Sequence, residues 1–113
     1  MEIKLAKDFY AAGGYNCAQA ILKAFQSYNK LTDSDISKYH SASAGRAEGG
    51  LCGALYAAKL QLDTKEKKSQ LEESFKNIAG HLTCRDIKIN KTLTCSQCVE
   101  TAAKLLNQLR NPD

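Results

Sequence analysis

Proline is almost absent from this chain: a single residue, Pro112, stands next to the end, so no proline ring interrupts a helix in the interior. Valine occurs once and isoleucine six times against fifteen alanines and thirteen leucines, a shortage of β-branched residues that favours helix over sheet. No apolar stretch approaches the roughly 20 residues of a spanning helix, so no membrane insertion is expected. The opening MEIKLAKDFY has neither an apolar signal core nor a twin arginine, and a cytoplasmic location is expected. A large excess of one charge is also missing. Sixteen Lys and Arg against twelve Asp and Glu give a net charge of +4, and the densest stretch, 65–73, mixes both signs. That pattern is a solvated helix face, and no nucleic-acid partner is expected.

What the chain does have is cysteine, five in 113 residues. The length suits one domain, read as a single helical cysteine-rich domain over 1–113. In a cytosolic chain these thiols point to metal ligands or redox groups rather than structural disulfides, and their odd number agrees.

Apolar spacing predicts the elements. Ile3, Ala6, Phe9 and Tyr10 mark a helix over 2–12 that Gly13 and Gly14 close. Asn16 with Gln19 caps a second, over about 16–29, with Cys17, Ile21, Ala24, Phe25 and Tyr28 on one stripe. Thr32, Asp33, Ser34 and Asp35 offer caps for a short helix carrying Ile36, Tyr39 and Ser43. A glycine-rich turn at 45–50 leads to LCGALYAAKLQL, with Leu51, Leu55, Ala58 and Leu62 on one face and Cys52 in the first turn. Asp63 and Glu66 have capping-box spacing before a helix striped by Leu71, Phe75, Ile78 and Leu82, ending near Gly80 to Thr83. CRDIKINKTL reads as a loop. Thr94 and Gln97 then cap a last helix with Val99, Ala102, Leu105, Leu106 and Leu109 buried. The expected fold is all-α, a single compact bundle of five or six helices.

Cys17, Cys52 and Cys95 each begin a predicted helix, near unsatisfied backbone N–H groups and the positive end of a helix dipole. Such places favour a thiolate, the form that attacks and that binds metal, and Arg85 beside Cys84 would act in the same direction. The plainer possibility is that each is a small buried hydrophobe. CSQC, with Cys95 and Cys98 on one side of a first turn, can close a disulfide, share a charge or bind one metal. As a dithiol, Cys95 would attack and Cys98 resolve, because Cys95 lies nearer the helix start. His81, Cys84, Cys95 and Cys98 also resemble a zinc pattern, whereas His40 has no partner at ligand spacing and reads as a surface residue. The glycines at 45–50 match no phosphate-binding fingerprint and read as room for the backbone near Cys52.

The sequence GYNCAQA at 14–20, CGALYA at 52–57, CRDI at 84–87 and a last cysteine before VETAAKLL together resemble the C_GCAxxG_C_C family, redox-active proteins named for this cysteine pattern. The resemblance runs from Gly14 to Leu106 and implies a small helical protein. It implies that Cys17, Cys52, Cys84 and Cys95 are the active or cofactor-binding residues, with Cys98 an addition. Ala57 stands where the family motif has its last glycine, and the segment from Cys84 to Cys95 is short. Two expectations remain open. One is an oxidoreductase or electron-transfer protein whose clustered cysteines exchange disulfides without a cofactor, or hold an iron–sulfur cluster, and serve an unknown redox partner. The other is a zinc-stabilised helical module that binds a protein without catalysis.

Overall fold

A computed structural model describes residues 2–13, 15–41, 50–62, 64–90 and 93–110. The predicted turn at 45–49, Gly14, Ser43 and Asp63 lie outside the described residues, as do the side chains of Ile3, Tyr28 and His40. The helices are α1 (Glu2–Ala11), α2 (Cys17–Ala24), α3 (Gln26–Asn29), α4 (Asp33–Ser37), α5 (Gly53–Leu60), α6 (Lys65–Ala79), α7 (Cys84–Asn90) and α8 (Cys95–Arg110). A 3-10 turn, Lys38–Ser41, follows α4. The all-α expectation holds. The described segments outnumber the predicted five or six because one predicted helix divides and one predicted loop is helical.

The division falls at Phe25, whose backbone (φ −101°, ψ 17°) leaves the helical range while its side chain is fully buried. Asn29 covers the break: its Nδ2 donates to the Leu22 carbonyl at 3.1 Å. Lys30 then takes a left-handed conformation that ends α3. The helical loop is α7. Thr83 Oγ1 accepts from the Asp86 backbone N–H at 3.2 Å, and the Thr83 carbonyl accepts from Ile87 N at 3.1 Å. That is an N-cap with an acid in the first turn, and Ile87 is its buried anchor.

The caps at Asn16 and Thr94 form as predicted. Asn16 Oδ1 accepts from Gln19 N at 2.8 Å and Gln19 Oε1 from Asn16 N at 3.1 Å. Thr94 and Gln97 make the same reciprocal pair. At α6 the cap is Thr64, whose Oγ1 accepts from Lys67 N at 3.1 Å, instead of Asp63. The buried face of α6 is Leu71, Phe75 and Ala79, so Ile78, expected inside, points to solvent.

Helix α8 is the centre of the packing, touching α1, α2, α5 and α6, while α2 also lies on α1 and α5. Alanines at 18, 20, 24, 54, 57 and 58 are all buried and let α2 and α5 approach closely; Ala57 fits with no exposed surface. Phe25, Phe75, Ile21, Leu22, Leu55, Leu71 and Leu106 fill the rest, each stabilising by about 1.5–3 kcal/mol on burial. The one buried polar side chain among the described residues, Gln19, is fully engaged, since its Nε2 donates to the Ile36 carbonyl at 3.2 Å. Gln19 therefore fixes the start of α2 against α4. No described helix is long and apolar enough to cross a membrane.

Candidate functional site

Four helices begin at one place. Cys17 opens α2, Cys52 is the N-cap of α5, Cys84 opens α7 and Cys95 opens α8, with Cys98 one turn further in. Backbone pairing brings these starts together. Cys52 N donates to the Leu82 carbonyl at 2.9 Å, and Leu51 bridges antiparallel to Thr83, so the residues just before α5 and α7 run side by side. The N–H of Cys98 donates to the Thr94 carbonyl at 2.9 Å and holds the first turn of α8 closed.

All five cysteines line a single cavity of about 420 Å³, and none of them is in a disulfide. Cys52 and Cys98 are buried, while Cys17, Cys84 and Cys95 are half-buried. The remaining wall is Tyr10, Gly13, Tyr15, Asn16, Ile87 and Leu93. Tyr15 is steadied by Phe9, whose ring meets it edge-on with centroids 5.6 Å apart. Gly13, at φ +84°, turns the chain out of α1 where a side chain would be strained.

Electrostatics inside the cavity run against the expectation drawn from helix starts. Burial pushes the Cys17 thiol from its ordinary value up to about 12, and the sulfurs of Cys52, Cys95 and Cys84 add repulsion. The backbone N–H of Ala18 acts in the expected direction but does not prevail. A thiolate in an apolar wall loses more hydration than one helix end returns. The Cys98 thiol is also pushed up, first by a side-chain hydrogen bond with Cys52, then by burial and by the neighbouring sulfurs. Tyr10 is pushed up to about 12, chiefly by burial and then by a side-chain hydrogen bond with Cys95. Its phenol therefore keeps its proton.

The structure thus gathers every cysteine singled out in the sequence. His81 is not among the residues lining the cavity. Among the described residues, no group of three or more His, Cys, Asp or Glu is placed to hold one metal ion. Arg85 is exposed and does not line the cavity. Tyr10 and Tyr15 were not legible as site residues; Tyr10 reads only as part of the α1 stripe, and the available signal was its phenol one turn before the glycines.

The described walls hold no cation and no acid–base pair of the kind that hydrolysis uses. Their chemistry is that of sulfur: thiol–disulfide exchange or thiolate ligation. No curated protein and no solved structure was found to match the chain. Residues 15–109 match the family described as "Putative redox-active protein (C_GCAxxG_C_C)", and these include all five cysteines. The chain belongs to that redox-active family.

Proposed function

We propose that the chain does its redox chemistry with the sulfurs themselves, cycling between dithiol and disulfide inside the cavity. The observation that carries this is the convergence of five cysteines outside any disulfide, from the starts of four helices, on one space of about 420 Å³. Exchange needs a thiolate, a sulfur to attack and access, and no further group.

A second reading is favoured by the mutual repulsion that raises Cys17: four crowded thiols are relieved when cations share their charge. Cys17, Cys52, Cys84 and Cys95 would then hold an iron–sulfur cluster, which supplies electron transfer when bound. The zinc-held binding module has less support, since His81 does not line the cavity that the sulfurs share.

The test is elemental analysis for iron and zinc on untagged protein purified without oxygen, followed by thiol counts before and after a mild disulfide oxidant. The expected result is a metal-free chain that reversibly loses thiols in pairs. Iron at cluster stoichiometry would select the second reading. Thiols that resist oxidation in a metal-free chain would refute both.

A further inference from the structure

We propose that the head of α8 is a binding site for a soft monovalent metal ion, Cu(I) by preference, held between the sulfurs of Cys95 and Cys98. The site goes beyond the thiol reading above and does not depend on which sulfurs cycle.

The pair is chosen by the fold of one turn. Thr94 Oγ1 accepts from Gln97 N at 3.1 Å, Gln97 Oε1 accepts from Thr94 N at 2.8 Å, and the Thr94 carbonyl accepts from Cys98 N at 2.9 Å. These bonds close the first turn of α8, and residues three apart on such a turn have their Cβ atoms about 5–6 Å apart. Both residues line the sulfur cavity, so the two side chains share one side of the helix. Two metal–thiolate bonds of about 2.3 Å each bridge that separation without moving the backbone. Cys17, Cys52 and Cys84 lie on three other elements, and no single turn sets their spacing to this pair.

The class of ion follows from the donors. Two thiolates on a rigid turn complete the coordination of a d¹⁰ monovalent ion, which takes two sulfurs in line, whereas zinc requires four donors and an iron–sulfur cluster four thiolates. Thiolate is a soft ligand, and softness suits Cu(I). The other three cysteines, with Tyr10, Ile87 and Leu93, form the surrounding wall. Cys95 is half-buried and Cys98 buried, so an ion entering from solvent meets Cys95 first and is then drawn inward by Cys98.

Binding moves protons and no electrons. Cu⁺ replaces the thiol protons of Cys95 and Cys98: two S–H bonds break, two Cu–S bonds form, and both protons go to solvent. The product bears one negative charge over two sulfurs, where the free dithiolate would bear two, and it stands at the positive end of a sixteen-residue helix. An occupied site withholds both sulfurs from disulfide exchange, so copper and oxidant compete for them.

The experiment titrates reduced, untagged full-length protein, without oxygen, against the Cu(I)–bicinchoninate complex, whose colour is lost as the protein takes the ion. One equivalent per chain should be taken up, and X-ray absorption at the copper edge should show two sulfur neighbours. The unaltered chain is then labelled briefly with iodoacetamide, with and without copper, and its tryptic peptides are weighed. Labelling of 92–104, which holds Cys95 and Cys98, should slow by about tenfold or more, and by more than that of 8–23, 47–59 and 77–85, which hold Cys17, Cys52 and Cys84. Cys98→Ser should weaken uptake by about tenfold or more, and Cys84→Ser by less than about threefold. No uptake overturns the proposal; if the same preparation still loses thiols in pairs to a disulfide oxidant, the thiol reading stands. Three or more sulfur neighbours, or stronger protection of another cysteine peptide, overturns the assignment to this pair. Zinc that displaces the ion at equal concentration overturns the choice of ion. Because the labelling reads the native chain, it decides the pair even where a variant fails to fold.

Discussion

Two of the hollows among the described residues are similar in size, about 420 and 340 Å³, and differ in what their walls have left to do. The second, of about 340 Å³, is lined by Leu22, Asn29, Leu31, Tyr39, Leu60 and Gln61. Its amides are occupied by the fold: Asn29 Nδ2 donates to Gln61 Oε1 at 2.8 Å, Gln61 Nε2 to the Ala57 carbonyl at 3.2 Å, and Asn29 Oδ1 accepts from Leu31 N at 2.9 Å. The sulfur cavity is built differently, from groups that repel one another when charged. A hollow becomes a site through groups held in tension, and volume alone does not distinguish the two.

The comparison breaks first at Leu22, a wall of the second hollow that is 1% exposed. Leu22→Ala should cost about 2–5 kcal/mol in urea unfolding and leave the number of oxidisable thiols unchanged. Loss of oxidisable thiols in the folded variant would mean the two regions are coupled. Gln19→Ala sharpens the other side. It removes the acceptor of the Asn16 N–H and one of the two donors to the Ile36 carbonyl, should cost about 1–3 kcal/mol, and should speed alkylation of Cys17 by loosening the first turn of α2. An unchanged alkylation rate in that variant would separate the cap from the sulfur.

Alkali offers a gentler probe. The unfolded Cys17 thiol loses its proton near its ordinary pKa of 9.0, whereas the folded one holds it to about 12. The folded chain therefore binds more protons in between, and its stability should fall as pH rises through that window, with Tyr10 adding to the decline above its ordinary 10.0. Denaturant titrations between about pH 8 and 11 should show the decline, flattened in Cys17→Ser. The smallest effect is expected at Lys7, whose 3.4 Å ion pair with Glu100 ties α1 to α8 at an open surface. Lys7→Ala should change stability by less than about 1 kcal/mol and should leave thiol oxidation untouched.

Sequence showed what is local. The caps at Asn16 and Thr94 are patterns of four residues and form as read. The glycine stop at Gly80 is of the same kind. Helix α7 was hidden because Ile87 and Ile89 alternate like a loop or strand, while the stronger signal, Thr83 three residues before Asp86, is as short as the others. The five sulfurs were legible as a set through their helix-start positions and the family pattern. Their shared cavity was not. Whether Cys52 and Cys98 line one space depends on how α5 lies on α8, and the place of Tyr10 in its wall depends on α1 reaching the head of α8.

The placement of four of these cysteines at the first residue or cap of a helix has a kinetic consequence. Helix termini are the parts of a fold that open most often without global unfolding. The sulfurs thus sit where opening needs only a turn to fray, and the side chains that hold those turns, Asn16 with Gln19, Thr83 and Thr94 with Gln97, set how often a thiol meets the solvent. In this bundle the residues that shape helix ends also act as the clock of sulfur reactivity.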